Sequence, residues 1–338
     1  MGQVNLKTLA KELNLSISTV SKALRDSYEI GKDTKEKVKA LAEKLNYEPN
    51  PFASSLRKKS SKTIAVIIPE ISNNFFALAI DGIQAIAQER GYHVLTYLTH
   101  EALINEISTV NHLVNGRVDG VLMSICSEKG TSTHLKLLCE SEMPIVFFDR
   151  VSENSSAPTV TTDDYESGFK GTEHLIEAGC KKIAFLAASK HLSIINKRMN
   201  GYINALEKNN IAYDPSLVIE CASDAEESMK IIKQSLQTKN RPDGIFASVE
   251  TLAIATYHVC SELGIRIPAD VKILSFSNLR TASLLAPSLT TITQPAFEIG
   301  KEAASILFRQ IEKKQLQDHP DKVVIKSSLI PRESTSNS

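Results

Sequence analysis

The sequence lacks the residue patterns on which most enzymes and metal proteins depend. Its five cysteines form no C-x-x-C pair, its eight histidines form no H-E-x-x-H motif, and neither a Walker loop nor a G-x-G-x-x-G stretch occurs. We therefore expect no catalytic role, no metal site and no cofactor. Buried thiols in a reducing cytosol are predicted for the cysteines, Cys126, Cys139, Cys180, Cys221 and Cys260.

Long apolar runs are also missing. A helix that spans a bilayer needs about 18 or more consecutive apolar residues, and the sequence has no such segment. The first residues do not follow the pattern of a signal peptide. We expect a cytoplasmic chain that is neither exported nor inserted in a membrane.

The net charge is zero, but the charges are unevenly distributed. The chain has 39 Lys or Arg residues and 39 Asp or Glu residues. Residues 1–62 contain 13 of the basic residues and 7 of the acidic ones, whereas the remaining chain contains 26 and 32. A basic segment binds phosphate backbones in a salt-dependent way and without choice of sequence. Nucleic acid is therefore a candidate partner of the first 62 residues.

The basic segment carries the pattern of short amphipathic helices joined by tight turns. The first buried stripe, at the i, i+3, i+4, i+7 spacing of a helix, consists of Leu6, Leu9, Ala10 and Leu13. Asn14 suits the left-handed residue that ends a helix, and Ser16 is a good N-cap for the next one. A third stripe, which ends before Pro49, consists of Val38, Leu41, Ala42 and Leu45. We predict a three-helix head.

The second predicted helix has two different faces. Its inward face consists of Val20, Ala23 and Leu24, and its outward face of Ser18, Ser21, Lys22 and Arg25. Short polar and cationic groups on one face are typical of a helix that contacts base edges and phosphates. The alternative, any three-helix bundle with solvated lysines, is disfavoured by the excess of basic residues.

The chain after residue 62 alternates between strand and helix signals. Apolar runs typical of buried parallel strands cover residues 63–68, 93–97, 120–123, 145–148, 182–186, 244–247 and 271–276. Segments long enough for helices separate them. This alternation of strands and helices predicts doubly wound α/β sheets. The length of the chain after residue 62 favours two such units over one.

At this point the chain resembles the lactose-repressor/galactose-repressor (LacI/GalR) family of bacterial transcription regulators. The most specific matching stretch is LSISTVSKAL at residues 15–24. Further matches are NYEPN at 46–50, ASSLR at 53–57, IPEISNNFF at 68–76, RVDG at 117–120, EHLIEAG at 173–179 and LTTITQP at 289–295. The resemblance implies an α/β fold with an N-terminal all-α helix-turn-helix head and a periplasmic-binding-protein-like body of two doubly wound α/β subdomains.

The resemblance also implies which residues contact DNA. Ile17, Ser18 and Lys22 match the positions at which family members contact bases in the major groove. Lysine is a departure, because many members have arginine there; an ammonium discriminates less sharply than the planar fork of a guanidinium. Contacts with the phosphate backbone, or capping roles, are expected for Ser16, Thr19 and Ser21, and Arg25 is expected to contact DNA because of its place on the outward face.

Residues 50–58 resemble the hinge helix of the family, which orders when two protomers meet on the operator. Asn50, Ala53 and Leu56 match the family pattern in this order. Leu56 corresponds to the leucine that is pressed into the minor groove at the centre of the site, where a pair of apolar wedges unstacks one base step. A pyrimidine–purine step is therefore expected at the operator centre.

The domain boundaries follow from the same comparison. We predict a helix-turn-helix domain at 1–48 and a hinge helix with linker at 49–61. The amino-terminal subdomain is predicted at 62–160 with 292–322, and the carboxy-terminal one at 161–291 with 323–338. The chain would cross between the subdomains near Val160, Thr291 and Val323.

Ligands of open α/β sheets bind at the carboxyl ends of the strands, which here means the cleft between the subdomains. Phe75 and Phe76 follow the first strand and either stack on a flat ligand or pack at the start of a helix. Asp149 and Arg150 follow a later strand. By resemblance, the remaining candidates are Arg198, Val249, Ser277 and Gln294, of which Arg198 matches the arginine that holds the effector in many members.

Two departures from the family pattern fall in this pocket. Val249 and Ser277 stand where members commonly have an amide and a carboxylate. A pocket without these partners is not expected to bind an ordinary free hexose as its relatives do. The effector is then more apolar or more anionic, or the regulation is weak; Arg198 favours an anionic or derivatised sugar.

The sequence thus predicts a cytoplasmic, homodimeric, sequence-specific transcription regulator, a repressor of a carbohydrate-utilisation operon. Its expected partners are a palindromic operator in double-stranded DNA and a small effector, a sugar or a sugar derivative. The main alternative is a sugar-binding or sensor protein of periplasmic-binding-protein fold without operator-specific regulation. A basic helical head is not expected in such a protein.

Overall fold

The computed structural model describes residues 5–45, 47, 60–114, 118–126, 133–152, 155–189, 192–222, 224–313 and 321–336. The chain separates into two compact units, Met1–Ser61 and Lys62–Ser338. We call the first unit the head and the second unit the body.

The head contains the three predicted helices, Leu6–Glu12 (α1), Ile17–Leu24 (α2) and Lys32–Lys44 (α3). Asn14 adopts the predicted left-handed conformation, with φ of 53°. The Ser16 hydroxyl accepts a hydrogen bond from the backbone N–H of Thr19 at 3.1 Å and so caps α2 as predicted. The core of the head consists of Leu9, Ala10, Val20, Ala23, Val38 and Ala42.

The body contains two six-stranded sheets. The strands of the first sheet are Thr63–Ile68 (β1), His93–Leu98 (β2), Gly120–Met123 (β3), Ile145–Phe148 (β4), Thr159–Thr162 (β5) and Lys322–Ile325 (β11). Those of the second sheet are Ile183–Ala187 (β6), Val218–Glu220 (β7), Gly244–Ala247 (β8), Lys272–Phe276 (β9), Thr290–Thr293 (β10) and Ser328–Ile330 (β12). All described pairs are parallel except β10 with β12. The predicted doubly wound α/β class is confirmed.

Both sheets have the strand order of a doubly wound fold, with β1 between β2 and β3 in the first and β6 between β7 and β8 in the second. The helices of the body are Asn74–Glu89 (α4), Leu103–Leu113 (α5), Thr133–Glu140 (α6), Asp164–Glu177 (α7), Ser193–Lys208 (α8), Ala225–Leu236 (α9), Glu250–Leu263 (α10) and Ala296–Lys313 (α11). Ligands of such sheets bind at the carboxyl ends of the strands, next to the point where the strand order reverses. The loops after β1, β4, β6, β8 and β9 therefore lie at the edge where a ligand is expected to bind.

The chain passes between the two sheets at three places, each slightly beyond the position expected from the sequence. Val160, Thr291 and Val323 all lie inside strands, namely β5, β10 and β11. Because β5 and β11 pair with each other in the first sheet and β10 pairs with β9 in the second, the crossing segments are residue 163, residues 294–295 and residues 326–327. The sequence of β5, TVTT, is short and polar, so it does not indicate which of the two sheets the strand joins.

Glycines allow close helix packing in the second half of the body. A Cβ on Gly168 of α7 would collide with the backbone carbonyl of Arg198 in α8, and a Cβ on Gly201 would collide with that of Tyr165. Because both positions are glycine, α7 and α8 approach closely enough for side chains on their facing turns to pair. This contact places Asp164 of α7 beside Arg198 of α8.

Candidate functional site

The outward face of α2 carries the polar side chains that the sequence analysis assigned to DNA. Ile17 is 45% exposed, and Ser18 is exposed beside it. The Ser16 hydroxyl lies 2.7 Å from the Ser18 hydroxyl and 2.8 Å from the Thr19 hydroxyl. Ser16 thus has a capping role, and a phosphate contact by the same residue stays a prediction.

The cationic side chains of this face are paired within the head. Arg25 donates from Nη2 to the Ser21 hydroxyl at 2.6 Å and from Nε to the Ser21 carbonyl at 2.9 Å. The Lys22 ammonium forms an ion pair with Glu29, and the two side chains are 44% and 47% exposed. Glu29 was not among the predicted residues, because it lies in the turn after α2, where helical periodicity gives no signal. The predicted contact of Lys22 with DNA would therefore compete with the Lys22–Glu29 ion pair.

The Lys22–Glu29 pair leads to a first testable prediction. Glu29→Gln removes a negative charge from the neighbourhood of Lys22, so we expect the affinity for random duplex DNA to rise about two- to fivefold. We also expect weaker discrimination at the base pair that Lys22 contacts, because the ammonium loses its fixed partner. Fluorescence anisotropy on specific and random duplexes measures both effects.

Glu43→Gln is the matched control for this prediction. Glu43 is exposed on α3, and no ion pair of Glu43 is recorded among the described residues. If Glu43→Gln and Glu29→Gln raise the affinity for random DNA equally and leave base preference unchanged, only net charge matters and the role assigned to Glu29 is wrong.

Three further residues that the sequence analysis assigned to DNA, Asn50, Ala53 and Leu56, lie outside the described residues. Their roles stay predictions.

A cavity opens in the body at the carboxyl ends of the strands. All seven predicted cleft residues line it, and they are Phe75, Phe76, Asp149, Arg198, Val249, Ser277 and Gln294. The other lining residues are Asn73, Arg150, Ile194, Glu250, Phe276 and Asn278. Residues that are far apart in the sequence therefore converge on one cavity, which we call the cleft cavity.

The two phenylalanines have both of the roles that the sequence left open. Phe75 and Phe76 line the cleft cavity and also belong to the core of the first half of the body. Their ring centres are 5.3 Å apart, with an edge-to-face angle of 84°. Asn73 caps α4 by accepting a hydrogen bond from the Phe75 N–H at 2.9 Å, so the rings are held on a fixed helix start.

Arg198 is held inside the protein by three contacts. Its Nε donates to Asp164 Oδ1 at 2.8 Å, its Nη1 donates to the Ser248 carbonyl at 2.7 Å, and its guanidinium carbon lies 3.8 Å from the centre of the Phe276 ring. The residue is 2% exposed. Burial raises the pKa of Asp164 to about 6, although the positive charge of Arg198 opposes this shift. The expectation that Arg198 favours an anionic ligand is weakened, because its charge already has a partner.

Asp149 and Arg150 lie side by side in the cleft cavity with different degrees of pairing. Arg150 Nη1 donates to both carboxylate oxygens of Glu101, at 2.8 and 2.9 Å. Asp149 Oδ1 receives a long hydrogen bond of 3.4 Å from Gln294 Nε2, and burial raises the pKa of Asp149. Asp149 also has φ of 58°, a left-handed conformation that is uncommon outside glycine and tends to occur at functional sites.

Glu250 connects the two halves of the body across the cleft cavity. One carboxylate oxygen accepts hydrogen bonds from the Asn74 backbone N–H at 3.3 Å and from Asn74 Nδ2 at 2.9 Å. The other accepts from the Ser277 hydroxyl at 2.9 Å and from the Asn278 N–H at 3.2 Å. Asn74 begins α4 beside the first sheet, whereas Ser277 and Asn278 follow β9 of the second. Glu250 is therefore a cross-cleft contact that the sequence analysis did not assign.

The described residues show no group of three or more His, Cys, Asp or Glu side chains that is placed to hold a metal ion. All five cysteines are free thiols; Cys139 is partly exposed and the other four are buried. In the part of the chain that the structure describes, no helix has the length and apolar character needed to cross a membrane.

A helical head with an exposed polar helix, joined in one chain to a two-sheet body with a polar cleft, defines the class of ligand-responsive DNA-binding regulators. Residues 5–50 match the family described as bacterial regulatory proteins, lacI family, and residues 172–335 match the periplasmic binding protein-like domain. A ribose operon repressor of Halalkalibacterium halodurans is 31% identical over 332 residues, which cover 98% of this chain and 96% of the relative. The chain belongs to the lacI family of transcription regulators.

Other similar proteins agree with this assignment. Catabolite control protein A of Priestia megaterium is 28% identical over 92% of this chain and 93% of its own length. Among solved structures, the complex of the regulator CelR with cellobiose has a TM-score of 0.74 at 25% identity and covers 98% of this chain and all of the other. The lac repressor dimer bound to its operator has a TM-score of 0.85 at 22% identity, covers 99% of this chain and all of the other, and supports the fold. These relatives are regulators rather than enzymes.

Proposed function

We propose that this regulator is a cytoplasmic repressor of a carbohydrate operon and that it binds an inverted-repeat operator as a homodimer. A small polar effector in the cleft cavity would bind one arrangement of the two halves of the body better than the other. By thermodynamic linkage, such a ligand shifts DNA affinity only by that difference in binding free energy. The relatives named as ribose operon repressors support the carbohydrate assignment.

The observation that carries this proposal is the cleft cavity itself. Its lining comes from both halves of the body, with Phe75 and Asp149 on one side and Arg198 and Ser277 on the other. Glu250 bonds to both sides through Asn74 and Ser277. A ligand placed among these groups contacts both halves, and it shifts their arrangement by the difference in its binding free energy between the two arrangements.

A selection of the intact protein on random DNA duplexes tests the proposal. We expect a palindrome of about 14–20 base pairs with a pyrimidine–purine step at its centre. A single unpaired half-site would contradict the homodimer. Recovery of no enriched site would favour the alternative, a sugar sensor of the same fold without operator-specific regulation.

Leu56 gives a second prediction for the selected site. Leu56→Ala removes the proposed minor-groove wedge, so we expect at least a tenfold loss of affinity for the palindrome and almost no change for random DNA. The contrast arises because only the specific complex has to bend and unstack the central step. An equal loss on both kinds of DNA would show that Leu56 is an ordinary linker residue.

A further inference from the structure

The charges around the cleft cavity are unequal. Two guanidiniums, Arg150 and Arg198, lie in its wall. Each has a carboxylate of its own within hydrogen-bond distance, Glu101 for Arg150 and Asp164 for Arg198. Two more carboxylates, Asp149 and Glu250, also line the cavity. Glu101 and Asp164 are not lining residues, but with them four carboxylates lie at or next to the cavity against two guanidiniums.

The hydrogen bonds around the cavity show which atoms a ligand can use. Glu250 is unsuited to bind one, since its oxygens already accept four hydrogen bonds from Asn74, Ser277 and Asn278. Asp149 accepts a long bond from Gln294, at 3.4 Å, and the Ser124 hydroxyl is its other side-chain hydrogen-bond partner. Arg150 lies further off, with its Nε 4.0 Å from Asp149 Oδ2. The Asp149 carboxylate can therefore accept further hydrogen bonds.

Two buried polar atoms in the wall have no hydrogen-bond partner within the described residues. They are Asn278 Oδ1, an acceptor on a residue that is 8% exposed, and Arg150 Nε, a donor on a residue that is also 8% exposed. Buried polar atoms are rarely left unpaired in native proteins, so each of these two atoms calls for an explanation. With Asp149 the wall thus offers two acceptor groups and one donor to a ligand.

We propose that the ligand of the cleft cavity is a small polyhydroxyl compound that carries a protonated amine, such as an amino sugar, with the ammonium facing Asp149. The ammonium donates to the Asp149 carboxylate, a hydroxyl donates to Asn278 Oδ1, and another ligand oxygen accepts from Arg150 Nε. This inference rests on the proposed function of the cavity as an effector site.

The chemistry of the wall supports a cation over an anion. A bound anion would add to the negative charge of Asp149 and Glu250, and the charge of each guanidinium is already paired with a carboxylate. Burial is the main cause that raises the pKa of Asp149, and Arg150 and Arg198 oppose it. Like these arginines, a bound ammonium lowers the pKa of Asp149 and stabilises its ionised carboxylate.

Titration calorimetry of the intact protein tests this proposal with sugars that share a ring and differ in charge. The probes are glucose, galactose and mannose, their 2-amino derivatives, and their uronic acids. We expect at least one amino sugar to bind about tenfold or more tighter than its neutral parent, since a charged hydrogen bond is stronger than a neutral one. The matching uronic acid is expected to bind more weakly than the parent.

The variant Asp149→Asn tests whether Asp149 causes the preference for an amino sugar. Asp149→Asn keeps the size of the side chain and suits the left-handed backbone, which asparagine tolerates well. We expect the variant to bind amino and neutral sugars of one ring with equal affinity. Glu262→Gln, at an exposed carboxylate paired with Lys233 on the surface of the body, is expected to keep the preference of the wild type.

The results that would overturn the inference are distinct from those that would overturn the proposed function. If a uronic acid or a neutral sugar binds tightest, the cavity is a sugar site and the inference is wrong. Failure of every probe to bind also rejects the amine-bearing class, whereas operator selection by the head is measured independently of these sugars. A preference for the amine that persists in Asp149→Asn would place the ammonium elsewhere.

Discussion

Replacement of Arg198 by methionine is expected to lower the free energy of unfolding of the body by about 3–5 kcal/mol near pH 8. The change leaves the Asp164 carboxylate, which is 4% exposed, without its cationic partner. It also removes the hydrogen bond to the Ser248 carbonyl and the contact with Phe276. Urea denaturation followed by circular dichroism measures this loss.

The effect of Arg198→Met should depend on pH. The pKa of Asp164 in the folded protein is raised from 3.8 to about 6, so the folded state binds this proton more tightly than the unfolded state. The contribution of Asp164 to stability therefore falls as the pH rises from about 4 to 6. Without Arg198 the pKa rises further, so the variant continues to lose stability at higher pH. The difference between wild type and variant should be smaller at pH 5 than at pH 8, and the loss that remains at pH 5 comes from the contacts with Ser248 and Phe276.

Arg266→Met is the matched control. Arg266 forms an ion pair with Asp270 at 2.8 Å, but its side chain is 74% exposed, and exposed pairs contribute about 0–1 kcal/mol. An Arg198→Met variant that loses no more stability than Arg266→Met, or that shows no dependence on pH, would contradict the assignment of a buried and coupled pair.

The second large effect is expected at Lys22. Lys22→Ala should weaken binding to the selected operator by about 1–3 kcal/mol and relax the base preference at one position of each half-site. The reason is that Lys22 lies on the outward face of α2, which is predicted to contact base edges in the major groove. Selection on random duplexes with the variant measures the preference at every position.

Lys44→Ala serves as the control for Lys22. Lys44 is an exposed lysine in the last turn of α3, so its loss removes the same charge away from the outward face of α2. An operator preference that is unchanged in Lys22→Ala, together with an equal loss of affinity in both variants, would mean that Lys22 contacts only phosphate.

The helices and most strands were predictable because their signals are local. The apolar faces that contain Leu9 in α1 and Val20 in α2 follow from the spacing of a few residues, and the cap at Ser16 follows from side-chain chemistry. All three features are present in the head. The apolar run at Thr63–Ile68 forms β1 as expected. The short strands that contain Val160 and Thr291 were not predicted, because four residues of mixed polarity resemble a loop.

The composition of the cleft cavity was predictable, but its internal pairing was not. The rule that ligands meet the carboxyl ends of strands brought Phe75 and Asp149 to the cavity, and the family pattern added Arg198. The bond from Asn74 to Glu250 joins residues that are 176 positions apart, and no periodicity encodes such a contact. For the same reason the pairing of Arg198 with Asp164 could not be predicted from the sequence. The sequence therefore did not determine the sign of the charge that a ligand meets in the cavity.

Regulation of the head by the body is tested by the affinity for the selected operator with and without a saturating cleft ligand. We expect a ligand found by calorimetry to change operator affinity by about fivefold or more, and operator DNA to change the affinity for the ligand by the same factor. If the protein binds both partners and neither affinity depends on the other, the body does not regulate the head, and the central claim of a ligand-responsive repressor is wrong.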